Sequence, residues 1–347
     1  MFSSTPLAPP DAIFAVNTAF NTCPSPLAIN VGVGAYRTNS GDPLVLDAVA
    51  EARKQLWELP RGKGGWQHEY LPIGGDEKFL RGSRKLLFGV EGTLDNEIAN
   101  KMEMSISSIQ TLSGTGALKL LAEFCSTSTS SPVTIAVPNP TWGNHKKIFS
   151  SCGSNLTCVT YTYLNLATPS SPSIDFPGVV SSLSSLDRNT LVLFHMCAHN
   201  PSGVDFSREE WSTLATLCLS RGLFAVFDNA YQGFASGDVE ADAWPVRHFK
   251  SRGLGMFVAC SFSKNMGLYG ERVGALHYIG MFSYTGLGVE EVEECGKRFL
   301  FMLSTGRVSM AGVNDGNVER VAQVIKEAIQ VVRDRKGKGG GGGGLGG

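Results

Sequence analysis

The chain has 347 residues, of which 42% are hydrophobic and 18% are charged, and its formal net charge is -1 at pH 7. A chain of this length and composition can bury a large core and is expected to divide into two domains. The near-zero charge, with no block of like charges, argues against a nucleic-acid or membrane-surface partner, so small-molecule chemistry is the better hypothesis.

The cysteines and the first residues predict the compartment. Eight cysteines form no CxxC pair and no His/Cys cluster, which predicts reduced thiols and no metal site. MFSSTPLAPPDAIF lacks a signal peptide's apolar core and a transit peptide's arginines. No stretch reaches the roughly 20 apolar residues that cross a bilayer. We therefore expect a soluble, cytoplasmic protein.

The N-terminal part is predicted to be an extended arm followed by two helices. Residues 1–30 are rich in Pro, Ser and Asn, and INVGVGAYR starts with a short strand that turns on Gly32 and Gly34. Apolar residues at helical spacing predict amphipathic helices over 43–58 and 76–88.

From residue 106 the pattern alternates between strands and helices, which is typical of an α/β domain with a mostly parallel sheet. A capping box at Ser207 and Glu210 opens one helix, and Gly222 closes it. In such sheets, ligands bind at the carboxyl ends of the strands. The predicted strands are residues 106–112, 133–137, 157–163, 191–196, 223–227, 256–262 and 273–278.

The C-terminal residues predict a second, smaller unit. Short strands are expected at 299–303 and 307–310, followed by a helix over about 317–332 with Asp315 as its cap. The glycine-rich residues 336–347 cannot bury a core and are expected to be disordered.

Lys264 is the centre of the predicted site. It follows an apolar run at 256–259 and two serines, which places it at the end of a buried strand. Burial and nearby cations disfavour the ammonium form, so such a lysine can attack a carbonyl. Ser261 and Arg272 can donate to a phosphate. The alternative is an ordinary surface lysine, and this stretch alone does not decide between the two.

Two further segments carry candidate ligand-binding residues. SGTG at 113–116 lies between a strand and an apolar helix, so its N–H groups can approach a phosphate at the helix's positive end. Asp228 ends the strand at 223–227, where a carboxylate is costly without a partner. Each also has an ordinary interpretation, as a helix N-terminus and as a turn cap.

SFSKNMGLYGERVGAL, at 261–276, resembles the cofactor-binding lysine segment of the aspartate aminotransferases, which are pyridoxal-phosphate enzymes of fold type I. Other segments similar to that family follow in the family's order along nearly the whole chain. They are VGVGAYR (31–37), HEYLPIGG (68–75), LSGTGALKLL (112–121), PNPTWGNH (138–145), CAHNPSG (197–203), FDNAYQGF (227–234) and GRVSMAGVN (306–314).

The resemblance implies the domain organisation. A large α/β domain with a mostly parallel sheet flanked by helices is expected beside a smaller α+β domain built from the N- and C-terminal parts. The predicted boundaries are 1–42 for the arm and part of the small domain, 43–279 for the cofactor-binding domain, 280–335 for the rest of the small domain, and 336–347 for the tail.

The resemblance also implies pyridoxal 5'-phosphate as the cofactor, bound as an imine to Lys264. Asp228, oriented by His145, pairs with the ring nitrogen, and Lys264, Asp228 and Tyr231 are the expected catalytic residues. Tyr70 reaches the phosphate in a partner subunit, so a homodimer is expected. The other expected cofactor-binding residues are Ser113, Gly114, Thr115, Ser261 and Arg272 near the phosphate, Trp142 on the ring face, and Asn200 with Tyr231 at the ring oxygen. Trp142 and His145 have an alternative as core residues.

The implied substrates are amino acids and 2-oxo acids. Transamination between aspartate or glutamate and 2-oxoglutarate or oxaloacetate is expected, with Gly34, Trp142, Asn200 and Arg307 contacting substrate and Arg307 gripping its α-carboxylate. Two alternatives stay open: an aromatic or broad-range aminotransferase, and a catalytically impaired, truncated form that binds cofactor or a partner subunit.

One departure from the family follows Ile279. GALHYI runs directly into GMFSYTGL, whereas the family has a long stretch between these segments. That stretch includes the helix joining the domains and an arginine offered across the dimer to the substrate's side-chain carboxylate. We therefore expect a poor enzyme with a reduced preference for aspartate.

Overall fold

The structure is a computed structural model of the whole chain. It describes residues 12–25, 27–32, 34–62, 68–89, 106–129, 131–165, 172–280, 282–284, 287–302, 304, 307–309 and 317–339. Residue contacts divide the chain into two units, Met1–Gln67 and His68–Gly347, and each is described by itself.

The first unit contains two helices among its described residues, α1 (Ala12–Thr22) and α2 (Asp47–Glu58). Residues 12–22 are therefore helical where an extended arm was expected, because AIFAVNTAFNT contains neither Pro nor Gly to interrupt a helix. The short strand expected at INVGVGAYR is not formed in the described part of that segment, where only Arg37 makes an isolated bridge, to Pro43.

The second unit is built on a seven-stranded sheet with the order β1-β9-β8-β7-β6-β2-β3. β9 runs antiparallel to both of its neighbours, and the other neighbouring strands are parallel. This confirms the predicted α/β class. The strands are β1 (Ile106–Leu112), β2 (Val133–Asn139), β3 (Leu156–Thr162), β6 (Leu191–His195), β7 (Phe224–Asn229), β8 (Met256–Ser261) and β9 (Val273–Ile279), and β4 (Leu164–Asn165) pairs with β5 (Ser173–Ile174) in a separate small sheet.

Helices cover both faces of the large sheet, which explains why a strand such as β6 is buried at every position and apolar up to His195. The helices are α3 (Glu77–Phe88), α4 (Ser113–Thr127), α5 (Asn144–Ser150), α6 (Phe176–Ser184), α7 (Arg208–Arg221), α8 (Val239–Asp242) and α9 (Trp244–Ser251). On one face of the sheet, Leu193 and Val226 pack with α4 and α5; on the other face, Phe194 and Phe227 pack with α7 and α9.

Local capping sets the ends of the long helices. The predicted capping box of α7 is confirmed, with Ser207 accepting from the N–H of Glu210 and Gly222 ending the helix at a φ of 68°. α3 begins in the same way, because the carboxylate of Asp76 accepts from the N–H of Phe79.

The C-terminal residues form β10 (Phe282–Tyr284), α10 (Val289–Lys297), β11 (Arg307–Ser309) and α11 (Val318–Gly339). The expected strand at 299–303 is wrong over 299–302, and the strand paired with β11 is β10 instead. α11 extends to Gly339, past the expected end and into the tail predicted to be disordered, while Asp315 lies outside the described residues. α10 was not predicted, and its buried Glu294 pairs with Lys297, Arg298 and Arg335.

Candidate active site

The candidate site lies at the carboxyl ends of adjacent parallel strands. β6, β7 and β8 run side by side, with His195 opposite Asp228 and Asn229 opposite Cys260. The segments that follow these strands therefore meet at one edge of the sheet. The pocket formed there is lined by most of the predicted site residues, namely Ser113, Gly114, Thr115, Trp142, Asn200, Asp228, Tyr231, Ser261, Lys264 and Arg272, together with Ser263.

Three buried serine hydroxyls and a guanidinium converge at the first turn of α4. Ser113 Oγ lies 2.9 Å from Ser261 Oγ and 2.8 Å from Ser263 Oγ, and Arg272 Nη1 donates to Ser263 Oγ at 3.3 Å. Hydroxyl, guanidinium and helix N-terminal N–H groups all donate to phosphate oxygens. This serine cluster can therefore hold a phosphate. Sequence reasoning missed Ser263, although it stands in SFSK directly before Lys264.

The backbone of the serine cluster adopts unusual conformations. φ is 61° at Ser113 and 55° at Arg272, and the N–H of Ser113 donates to the carbonyl of Arg272 at 3.0 Å. Each such conformation costs a non-glycine residue about 1–3 kcal/mol and persists only where the surroundings fix it. Gly274 allows this close approach, since a Cβ there would lie 2.5 Å from the carbonyl carbon of Ser113.

Asp228 begins a chain of hydrogen bonds that leads away from the pocket. His145 Nε2 donates to Asp228 Oδ2 at 3.1 Å, His145 Nδ1 lies 2.8 Å from Thr141 Oγ1, and Thr141 Oγ1 lies 3.1 Å from His195 Nε2. Burial alone would raise the pKa of Asp228, but the hydrogen bond from His145 and nearby positive groups lower it. The carboxylate is therefore ionised at neutral pH.

The far end of this chain is uncharged. Burial lowers the pKa of His195 to about 3, so its imidazole is neutral at pH 7 and acts as a hydrogen-bonding partner. Sequence reasoning identified His145 and missed Thr141 and His195. Thr141 lies inside PNPTWGNH and His195 lies two residues before CAHNPSG, but only the adjacency of β2 and β6 brings them together.

Lys264 is partly buried in the same pocket, with its Nζ 5.7 Å from the centroid of the Tyr231 ring. Burial lowers the pKa of Lys264, and Arg272 adds to this effect while Asp228 opposes it. A lowered pKa increases the fraction of neutral amine, which is the form that attacks carbonyl carbon. The position supports the functional interpretation of this lysine over the surface one.

Tyr231, Asn200 and Trp142 line the rest of the pocket. Burial, together with Asp228, raises the pKa of Tyr231 more than the neighbouring Asn200 lowers it. The phenol is therefore a proton donor at neutral pH. The indole of Trp142 packs edge-on against His145, with ring centroids 5.2 Å apart.

Three predicted site residues are not among those lining this pocket. Tyr70 is 96% exposed. Gly34 belongs to the first unit, where a Cβ would meet no atom within 4 Å. The backbone of Arg307 pairs with Tyr284, while its side chain lies outside the described residues.

Within the described ranges, no group of three or more His, Cys, Asp or Glu side chains could hold a metal ion. No described helix combines the length and apolar character needed to cross a membrane. A larger cavity of about 740 Å³ lies between α3 and the segment around Phe262, but its lining contains neither Lys264 nor Asp228.

Comparison with known proteins places the chain in a family. The model for aminotransferases of class I and II matches residues 27–281. Aspartate aminotransferase 1 from Medicago sativa is 44% identical over 280 residues, which are 80% of this chain and 63% of that protein. The chain thus matches less than two thirds of that relative's length.

Solved structures agree with this placement. Cytoplasmic aspartate aminotransferase from Saccharomyces cerevisiae has a TM-score of 0.71 and 28% identity, covering 95% of this chain and 99% of that one. The aromatic-amino-acid aminotransferase from Burkholderia pseudomallei, covalently bound to pyridoxal phosphate, has a TM-score of 0.71 and 29% identity, covering 94% and 99%.

A mostly parallel sheet with a lysine, a largely buried carboxylate and a cluster that can hold a phosphate at one edge fits the fold type I class of pyridoxal-phosphate proteins. Within that class, the chain belongs to the class I and II aminotransferases.

Pyridoxal phosphate is the cofactor of this family, and the residues of the pocket fit it. The serine cluster suits its phosphate, Asp228 its ring nitrogen and Lys264 its aldehyde. Gly114 keeps the phosphate end open, because a Cβ there would lie 3.0 Å from the Cβ of Ser261.

Proposed function

We propose that this chain is an aspartate aminotransferase that exchanges amino groups between aspartate or glutamate and oxaloacetate or 2-oxoglutarate. The observation that carries the proposal is the convergence of Lys264, the ionised Asp228 and the serine cluster in one pocket. The similarity to aspartate aminotransferases supports this choice of substrates.

Each pocket residue has a role in this reaction. The serine cluster and Arg272 hold the phosphate, and Asp228 keeps the ring nitrogen protonated. The bound cofactor supplies an electron sink for the bond broken at the substrate's α-carbon. Lys264, whose pKa is lowered, is the amine that would hold the cofactor covalently and the base that would move the proton at the substrate's α-carbon.

The remaining roles concern the ring and the substrate. Tyr231 and Asn200 donate to the cofactor's ring oxygen, and Trp142 covers the ring face. Arg307 would bind the α-carboxylate through its planar set of donors.

We also propose a homodimer in which Tyr70 completes the partner's phosphate site. Tyr70 and Ile73 are almost wholly exposed, in a segment that joins the sheet edge because the N–H of Gln110 donates to the carbonyl of Gly74. Leu112, on the edge strand β1 and next to the serine cluster, is 74% exposed. Apolar side chains exposed beside a site favour burial against a second copy.

The cytoplasm is the proposed compartment. All eight cysteines are free; Cys23 is exposed, Cys158 is half-buried and the other six are buried. Unpaired thiols suit a reducing environment.

A second candidate is an aminotransferase of aromatic or broad specificity. The structural similarity to the Burkholderia aromatic-amino-acid aminotransferase supports this candidate as strongly as the similarity to the yeast enzyme supports an aspartate aminotransferase. Both structures have a TM-score of 0.71. Comparing kcat/KM for aspartate and for tyrosine distinguishes the two candidates.

The proposed function predicts that the cofactor is attached to Lys264. Protein incubated with pyridoxal phosphate and reduced with borohydride should carry the cofactor's mass on the peptide containing Lys264. Lys264→Ala should lose this label, because the neutral amine is removed, and Lys147→Ala, at an exposed lysine on α5, should keep it. Labelling that persists undiminished in Lys264→Ala would reject the assignment.

A further inference from the structure

A lysine and a cysteine lie in contact outside the pocket, where α4 meets the end of α5. Lys119 Nζ is 2.8 Å from Cys152 Sγ and 3.3 Å from Ser151 Oγ, and it pairs with Glu123 at 2.8 Å. For comparison, Asn229 Nδ2 lies 3.7 Å from Cys260 Sγ. The Lys119 amine therefore lies closer to the sulfur of Cys152 than the Asn229 amide lies to the sulfur of Cys260.

The two atoms differ in their surroundings. Cys152 is completely buried, whereas the side chain of Lys119 is 42% exposed. A buried thiol cannot reach a thiol on another molecule without local opening, so the neighbouring amine is the reaction partner already in position. The contacts with Cys152 and Glu123 raise the pKa of Lys119, so its ammonium releases one proton before the amine reacts. A small oxidant is the only further reactant needed.

We propose that Lys119 and Cys152 form a covalent N–O–S bridge in the presence of dioxygen, and that this bridge is a reversible redox modification of the protein. One bridging oxygen atom spans a distance close to the observed 2.8 Å. A direct S–N bond would need a much closer approach of the two helices.

The stoichiometry closes with dioxygen as the oxidant. One thiol, one neutral amine and one O₂ give one S–O–N–H bridge and one water. The S–H bond and one N–H bond break, and S–O and O–N bonds form. Sulfur and nitrogen each lose two electrons, and O₂ accepts all four. Two molecules of a dithiol reductant return four electrons and four protons, become two disulfides, and regenerate the thiol, the amine and a second water.

The bridge would act on the cofactor pocket through two helices. α4 carries the SGTG turn at its first residues, and α5 carries His145, which donates to Asp228. A covalent bond between Lys119 and Cys152 would join residues that are 33 positions apart in the sequence. The bridge would limit the motion of the SGTG turn on α4 relative to His145 on α5, which orients the carboxylate of Asp228.

The first test detects the bridge itself. Protein purified anaerobically with dithiol should contain free Lys119 and Cys152. After the dithiol is removed and air-saturated buffer is added, digestion and mass spectrometry should find these two peptides joined, with one oxygen gained and two hydrogens lost. Renewed addition of dithiol should separate them.

Three variants control the assignment. Cys152→Ser and Lys119→Arg should each prevent cross-linking, and Lys119→Arg retains the positive charge beside Glu123. Cys158 is a half-buried thiol that forms no hydrogen bond with a lysine among the described residues. Cys158→Ser should therefore leave cross-linking unchanged. Circular dichroism confirms that each variant is folded.

The second test measures the consequence for the fold. The bridge should raise Tm by about 5 °C in air relative to the dithiol-treated protein, as for a cross-link closing a loop of this length. Neither Cys152→Ser nor Lys119→Arg should show this difference. A disulfide at Cys152, its oxidation to sulfinic acid without a link, or an unmodified pair after exposure to air would overturn the proposal.

Discussion

Asp228 is the residue on which the proposed proton transfer depends most. Burial raises the pKa of Asp228, but the hydrogen bond from His145 and nearby positive groups together lower it further than burial raises it, so the carboxylate stays ionised. We expect Asp228→Ala to lower the single-turnover rate with aspartate by about a thousandfold, since the electron sink needs a protonated ring nitrogen. Cofactor affinity should fall much less, because the serine cluster and Lys264 remain.

Rapid mixing of cofactor-loaded protein with aspartate measures this rate, and a spectroscopic titration measures the affinity. Asp187→Asn, at an exposed position, is the matched control. Equal losses of rate and affinity in Asp228→Ala would make Asp228 a structural cap only.

His277 is a buried residue outside the pocket that links stability to pH. Its Nε2 and Nδ1 lie 2.8 Å from the hydroxyls of Ser83 and Ser108. Burial, and then Arg84, lower the pKa of His277 to about 3. In the unfolded chain its pKa is about 6.5, so between these values the unfolded state binds more protons. This contribution is therefore fully present above pH 6.5 and is lost as pH falls toward 3.

We expect His277 to lower the free energy of unfolding by about 2 kcal/mol between pH 6.5 and 5. Urea unfolding at both pH values measures this change. His277→Gln should be less stable at pH 6.5 but should lose less stability on acidification. His195 and His199, whose pKa values burial also lowers, contribute to the pH dependence of both proteins. An unchanged pH dependence in the variant would contradict this account.

The contact of β9 with the start of α4 is the element-scale feature that shapes the phosphate end of the pocket. A Cβ at Gly274 would lie 2.5 Å from backbone carbon of Ser113 and 2.6 Å from the carbonyl oxygen of Cys260. Neither backbone atom can move without displacing the sheet or α4, so we expect Gly274→Ala to weaken cofactor binding about tenfold or more. The associated destabilisation should be about 1–3 kcal/mol.

Gly270→Ala is the matched control, because a Cβ there meets no atom within 4 Å. It should change cofactor affinity by less than about twofold, in line with the small effect of surface substitutions. Fluorescence titration with pyridoxal phosphate compares the two variants. Equal affinities in both would show that the contact of β9 with Ser113 does not set the phosphate end.

At the scale of the whole molecule, we propose that the short connection between β9 and β10 limits the activity of the protein. β9 ends at Ile279 and β10 begins at Phe282, and the match to the family model ends at residue 281. A short connection restricts where Arg307 can be held relative to Lys264. A displacement of about 1 Å in a substrate-binding group can cost about a hundredfold in rate.

We therefore expect that inserting a family-like segment after Ile279 raises turnover of aspartate about a hundredfold and that of alanine less. Sedimentation analysis of both proteins tests the proposed dimer in the same experiment. Full aspartate activity without the insertion would show that the short connection is tolerated. A monomer in both forms would reject the role of Tyr70.

Sequence by itself determined the α/β class, the strands of the large sheet to within a few residues, and most of the residues that line the pocket. It could do so because buried parallel strands are nearly continuous apolar runs and because ligand-binding residues follow their carboxyl ends. Lys264 and Asp228 were identifiable on these grounds and by resemblance. The helix at 12–22 was missed because its apolar residues show little helical periodicity, whereas α10 is clearly amphipathic but spans only nine residues.

Only the tertiary structure decided which polar side chains meet. Ser263, Thr141 and His195 gain their partners from strand order and from the left-handed backbone at Ser113, and neither is encoded in local periodicity. The contact of Lys119 with Cys152 joins residues 33 positions apart and has no sequence motif. Local pattern reports which face of an element is buried, whereas hydrogen bonds between distant residues depend on how the elements pack.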